Sequence, residues 1–146
     1  MIATDLSPIQ PSWIPVNLKF EIDDARLPWT WAADSFDFVH MRYLFGAIDD
    51  WNELFQQAYR CCKPGGWVQS AEVDTNFRCD DGTMDAHPVV AKWIEMFREA
   101  GKKSGRPFAV ISSDLQRVSM EAAGFSNVRV VNFKVSIYQS RRGTKP

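Results

Sequence analysis

The hydrophobic period of this chain switches back and forth along its length, and that alternation restricts the fold more than any other feature. Leu18, Phe20 and Ile22 alternate with Lys19 and Glu21, the period of two that a half-buried strand requires, and the run stops at Asp23-Asp24. Trp51, Leu54, Phe55, Ala58 and Cys62 instead recur at helical spacing. Asp50 and Glu53, three residues apart, open that helix as a capping box does, and Lys63-Pro64-Gly65-Gly66 stops it. Residues 1–6 form a short apolar run ending at Asp5, Phe36, Phe38 and Val39 make a short buried strand ending at His40, and residues 66–72 read as a fourth strand. Between the strands, Pro8, Pro11 and Pro15 keep one segment extended, and Pro28 with Asp34 leaves Leu27, Trp29 and Trp31 in a loop. A second helix enters at Pro88, buries Val90, Trp93, Ile94 and Phe97, and leaves at Gly101. A third starts at Ser113 with Gln116 and runs through Leu115, Val118 and Ala122 to Gly124; Val131, Phe133, Val135 and Ile137 then alternate as a last strand. Strands that alternate with helices imply an α/β fold, a largely parallel sheet with helices on its faces.

No repeat or linker divides the 146 residues, of which 45% are hydrophobic and 24% charged, so one globular domain is expected over residues 1–139 with a polar basic tail at 140–146. A net charge of -1 supplies no electrostatic footprint for nucleic acid or an anionic membrane, which leaves small molecules and proteins as the expected partners. The apolar runs are far shorter than the roughly 20 residues that cross a bilayer, and no basic segment followed by an apolar one succeeds Met1. An intracellular location, cytoplasmic or nuclear, is the expectation. Cys61, Cys62 and Cys79 are odd in number and lack C-x-x-C spacing, with only His40 and His87 to complement them, which reads as reduced thiols and no metal site.

In parallel sheets ligands bind beyond the carboxyl ends of the strands. Asp5, Asp23-Asp24 and His40 each close an expected strand, so residues dispersed in sequence are expected on one rim of one sheet. A carboxylate at such a strand end accepts hydrogen bonds from both ribose hydroxyls of an adenosine, and Asp5 stands where that residue is needed. An acid at the next strand end accepts from an adenine amino group while a neighbouring backbone N–H donates to a ring nitrogen. Asp24 and Ala25 suit those roles, with Asp23 as the alternative to Asp24. Plainer roles exist for each: Asp5 ahead of Ser7-Pro8 is also a turn former, and Asp23-Asp24 is also a solvated strand end. Trp13, Trp29 and Trp31 serve either as packing or as flanks for a planar ligand.

The run Thr4-Asp5-Leu6-Ser7-Pro8-Ile9-Gln10-Pro11, residues 20–25, 34–42 and 58–68, and Met120-Glu121-Ala122-Ala123-Gly124-Phe125 together resemble class I S-adenosylmethionine-dependent methyltransferases. Within these they are most similar to the LaeA-like fungal group associated with secondary metabolism. The resemblance covers most of the chain; the first block with its proline spacing is its specific part, whereas Lys63-Pro64-Gly65-Gly66 is common to many methyltransferases. It implies a Rossmann-like methyltransferase sheet with flanking helices, S-adenosyl-L-methionine as cofactor, and a small molecule or a protein as methyl acceptor. It also implies Asp5 as the ribose ligand and Asp24, before Ala25, as the adenine ligand. His40, at the expected rim, is in place to contact the cofactor or to take a proton from an acceptor hydroxyl, and Glu72 and Asp74 are in place to face substrate. Methyl transfer needs mainly in-line positioning of donor and acceptor, so no catalytic residue is fixed by this pattern.

Family members carry a strand and glycine-rich loop before the position of Met1, and a further helix and antiparallel strand after that of Gln139. The expectation is therefore an incomplete sheet, truncated at both ends, with weak or undetectable cofactor binding by the chain alone. A noncatalytic module is the competing expectation, docking onto a complete methyltransferase or another protein through unpaired strands and the Trp93–Phe97 face.

Overall fold

A computed structural model describes residues 1–80 and 82–135. Strands β1 (Ile2–Asp5) and β2 (Lys19–Ile22) pair in parallel, with Ile2 opposite Lys19 and Asp5 opposite Ile22. Strands β3 (Phe36–Arg42) and β4 (Cys62–Ala71) form a second parallel pair, and helix α1 (Trp51–Cys61) is the crossover between them. Helices α2 (Pro88–Ser104) and α3 (Leu115–Ala123) follow. The class is α/β, as the alternating periods require.

The core sits between β3–β4 and α1, with α3 packed beside α1. Trp51, Leu54, Phe55 and Ala58 of α1 close over Met41 of β3, and Ile48 and Val110 complete the cluster. Asp50 caps α1 as expected, its carboxylate accepting from the Glu53 N–H at 3.0 Å. Because side chains alternate across a strand, Val39, Met41 and Val68 face this core while Phe38 and Trp67, opposite each other in register, face away and remain 55% and 65% exposed. The Leu27–Trp31 stretch is a loop, as expected. Gln57 holds it to α1 by accepting from the Trp29 N–H and donating to Leu27 O, while Arg60 donates to Trp29 O and Trp31 O.

Several expectations are corrected. The strands make two separate two-stranded sheets among the described residues, not one. The core is built on β3–β4, and the connection from β2 is tied to α1 instead of laying the first pair against β3. Strand β4 starts at Cys62, not after the glycines: Phe36 pairs with Cys62 and Phe38 with Trp67, so Lys63-Pro64-Gly65-Gly66 forms a bulge opposite Asp37, closed by a 2.8 Å Lys63–Asp37 ion pair. Gly66 is required there, since a Cβ would lie 2.7 Å from Cys62 Sγ and 2.9 Å from Asp37 O. Helix α2 continues through Gly101, which is buried against Arg106 O and Phe108, and stops at Gly105 with φ +68°; Trp93 is exposed, not buried, because α2 meets Phe108 through Phe97 and Gly101. Helix α3 begins after Asp114; the Ser113 hydroxyl turns back to Ala109 O and does not cap it. Val131, Phe133 and Val135 are exposed and lie outside any strand: among the described residues no strand pairs with this segment, and an extended segment without a pairing partner forms no ladder. Ile137 and the 140–146 tail lie outside the described residues.

Candidate functional site

The acidic ends of β1 and β2 come together. Beyond the last register pair the Asp23 N–H donates to Asp5 O at 3.1 Å, which sets Asp5 and Asp23-Asp24 side by side at the carboxyl end of the first strand pair. Each carboxylate also has local work. Asp5 Oδ1 accepts from the Ser7 N–H at 2.8 Å, the turn-forming role open to it, and the residue is exposed. Asp23 Oδ1 accepts from the Asp24 N–H at 2.8 Å. Asp24 is engaged much more fully: Arg26 donates from Nε to Oδ1 at 3.0 Å and Oδ2 at 3.2 Å, from Nη2 to Oδ2 at 2.6 Å, and from its backbone N–H to Oδ1 at 3.1 Å. Ala25 O accepts from the Trp29 indole at 3.1 Å, anchoring the acidic corner to the loop on α1. Arg26 was not singled out by the sequence pattern, although its spacing from Asp24 is that of a local turn.

The Arg26 fork holds the Asp24 carboxyl down to about 2 from its ordinary 3.8. A folded-state value below the unfolded one contributes stability that is present above about pH 4 and is lost as pH falls toward about 2. Asp24→Asn should therefore lower the urea midpoint relative to the parent near pH 6, and the gap should close as pH approaches about 2. A gap that stays constant over that range would mean the pair is not formed.

The second pair of strands is arranged differently. Strand β3 does not end at His40 but continues to Arg42, so the histidine lies within the strand, not at the rim with the acids. Its Nδ1 is 3.0 Å from Gln69 Oε1 on the facing position of β4, its ring stacks with Phe38, and it is exposed on the side away from the core. The carboxyl end of β3 is made instead by Tyr43, whose φ is +55° and whose ring lies 4.6 Å from the Arg42 guanidinium. Glu72, just after β4, accepts from the Leu44 and Phe45 N–H groups at 3.0 Å each. Burial pushes the Glu72 carboxyl up, and those two amide bonds oppose the shift. Asp74 is occupied within its own loop by Asn76 and Arg78.

A 480 Å³ open cavity lies between the loop and α1, lined by Pro28, Trp29, Glu53, Gln56, Gln57 and Arg60 and by none of the acids above. Cys61 and Cys62 are buried with their thiols pushed up by burial, while Cys79 is exposed. Among the described residues no His, Cys, Asp and Glu side chains gather into a metal-binding group, and no helix is long and apolar enough to cross a membrane.

The family model for a methyltransferase domain matches residues 1–130, which include both strand pairs and the acidic corner. The chain belongs to the methyltransferase-domain family. Its relatives in that family include the secondary metabolism regulator LAE1 of Cochliobolus heterostrophus, 36% identical over 137 residues that make up 92% of this chain and 44% of that protein. The methyltransferase pytC of Aspergillus terreus is 35% identical over 137 residues, 94% of this chain and 41% of that protein. The protein-methionine methyltransferase laeA of Emericella nidulans is 31% identical over 125 residues, 85% of this chain and 33% of that protein. The LaeA-like resemblance is thus matched by named methyltransferases and regulators of secondary metabolism. The chain spans less than half the length of these relatives. No solved structure matches it.

Proposed function

We propose that this chain forms the adenosine-binding side of an S-adenosylmethionine-dependent methyltransferase of the fungal secondary-metabolism type, acting on a small molecule or a protein. The observation that carries the reading is the joined carboxyl end of β1 and β2, where the 3.1 Å bond from the Asp23 N–H to Asp5 O brings three acidic residues to one strand end inside the family-matched segment. The donor set suits the nucleoside half of the cofactor: ribose hydroxyls and an adenine amino group are hydrogen-bond donors, and carboxylates only accept. When bound, the cofactor supplies an electrophilic methyl group on a sulfonium. Asp5, exposed and using Oδ1 for its turn, takes the ribose hydroxyls. As Asp24 stands, the Arg26 fork fills both of its oxygens, so the adenine amino group falls to Asp23 and reaches Asp24 only after Arg26 has left. His40 is not needed for these contacts, and with no obligatory base the chain's task is to bind and orient.

Calorimetric titration with S-adenosylhomocysteine tests this. Asp5→Asn keeps the size and removes the charge, and should weaken binding by about 1–3 kcal/mol, roughly 5- to 150-fold, with little effect on folding. Asp23→Asn should weaken it more than Asp24→Asn. Equal affinity in all three variants would remove the acids from the site, and a larger loss in Asp24→Asn would return the adenine role to that residue.

A second reading, a noncatalytic module that docks on a complete methyltransferase or another protein, is favoured by a different observation. Phe38 and Trp67 lie side by side and exposed on the face of β3–β4 away from the core, and Val89, Trp93 and Met96 are exposed on α2. Apolar surface of this kind is commonly covered by a partner. Concentration-dependent association in sedimentation, relieved by Trp67→Ser, is the result this reading requires.

A further inference from the structure

The turn that follows β3 is fixed at more points than its length requires. Tyr43 donates its N–H to Ala71 O at 3.1 Å, Leu44 and Phe45 donate theirs to the two oxygens of Glu72 at 3.0 Å each, and Gly46 donates to Pro107 O at 2.9 Å. Two of these four residues have left-handed backbone, Tyr43 at φ +55° and Gly46 at φ +70°. For a tyrosine that conformation is strained and persists only where its surroundings over-determine it. Glu72 lies 27 and 28 residues from its donors in sequence, is partly buried, and forms no ion pair among the described residues. A partly buried carboxylate without a cation is costly, and an amide side chain at the same place would be easier to bury. Only a carboxylate, however, offers acceptors on both of its ends to two adjacent N–H groups.

We infer that Glu72 is a positioning residue of the proposed methyltransferase site: clamping the Leu44 and Phe45 amides, it fixes the turn that sets Tyr43 at the carboxyl ends of β3 and β4. This rests on the function proposed above, because the strand ends are the ligand side only if that reading is right. Glu72 itself need touch neither cofactor nor acceptor; it acts through the backbone of residues 43–46. Its role is separate from that of Asp5 and Asp23, which lie on the other strand pair.

Glu72→Gln tests the inference on the full chain, since it is isosteric and turns one acceptor into a donor that faces an N–H. Two quantities are read: amide hydrogen exchange by nuclear magnetic resonance, and S-adenosylhomocysteine affinity by calorimetry. Exchange at Leu44 and Phe45 should speed up about 10-fold or more relative to amides of α1 such as Leu54, and affinity should fall by about 5-fold or more. Leu115→Ala, which loosens the core from α3 and removes none of the four hydrogen bonds of the turn, should speed exchange in α1 but leave the affinity of the folded protein unchanged. Exchange at Leu44 and Phe45 that is unchanged, or that rises only in step with α1, would overturn the clamp. Faster exchange there with unaltered affinity would overturn the positioning role. If the parent chain does not bind S-adenosylhomocysteine at all, the adenosine-binding role proposed for this chain fails and the positioning role with it, while the exchange result still decides whether Glu72 clamps the turn.

Discussion

Phe55→Ala is expected to cost about 3–5 kcal/mol, the range for deleting a fully buried phenylalanine from a packed core. Phe55 is 0% exposed at the centre of the cluster formed by Met41, Ile48, Trp51, Leu54, Ala58 and Val110, and its ring centroid is 5.9 Å from that of Trp51. The loss combines the transfer of the ring to water with a cavity that cannot collapse, because α1 is held on one side by the strands and on the other by α3. Native domains have only about 5–15 kcal/mol in total, so the variant should be partly unfolded under mild conditions. Urea unfolding followed by far-ultraviolet circular dichroism checks this. A loss below about 1.5 kcal/mol would mean that the ring is not enclosed as described.

Gly46→Ala should be nearly as severe, at about 2–5 kcal/mol. A Cβ at this position would lie 2.2 Å from Phe108 Cε1 and 2.5 Å from Cζ, and the φ of +70° is one that alanine adopts at a cost. The backbone contributes about 1–2 kcal/mol and overpacking about 1–3 kcal/mol. Phe108 has little room to retreat, since its ring packs edge-on against Phe45 at 6.1 Å and Phe97 at 5.2 Å. Gly65→Ala is the comparison that separates the two causes. Gly65 has φ +80° but nothing within 4 Å of the added methyl, so it should lose only the backbone part. Equal losses at the two glycines, measured by the same unfolding experiment, would show that Phe108 moves aside freely.

What could be read from the sequence was whatever rests on neighbours along the chain. The Asp50 cap, the apolar stripe of α1 and the acids closing β1 and β2 all follow from local spacing, and the structure has them in those places. Features that depend on distant contacts were not legible. Gly101 has the form of a helix stop, but it lies inside α2 because the returning backbone at Arg106 and Phe108 needs a residue without a side chain there. His40 has the form of a strand end because the apolar run stops there. Pairing with β4 carries β3 two residues further, which moves the rim to Tyr43 and Glu72. The alternating pattern from Val131 is that of a strand, yet a strand also needs a neighbour, and residues 131–135 pair with no strand among the described residues. In the candidate site the acids were legible and their partners were not. The Arg26 fork on Asp24 depends on backbone direction after β2, and the Glu72 clamp spans nearly thirty residues.

The central claim, that the acidic corner at the ends of β1 and β2 receives the adenosine of the cofactor, is tested most directly by titrating the isotopically labelled chain with S-adenosylhomocysteine and following backbone amide shifts. The account predicts changes that saturate and concentrate at residues 5–7 and 23–26, with a smaller set at residues 43–46. Shifts that concentrate elsewhere, or spectra unchanged at millimolar ligand, would contradict it.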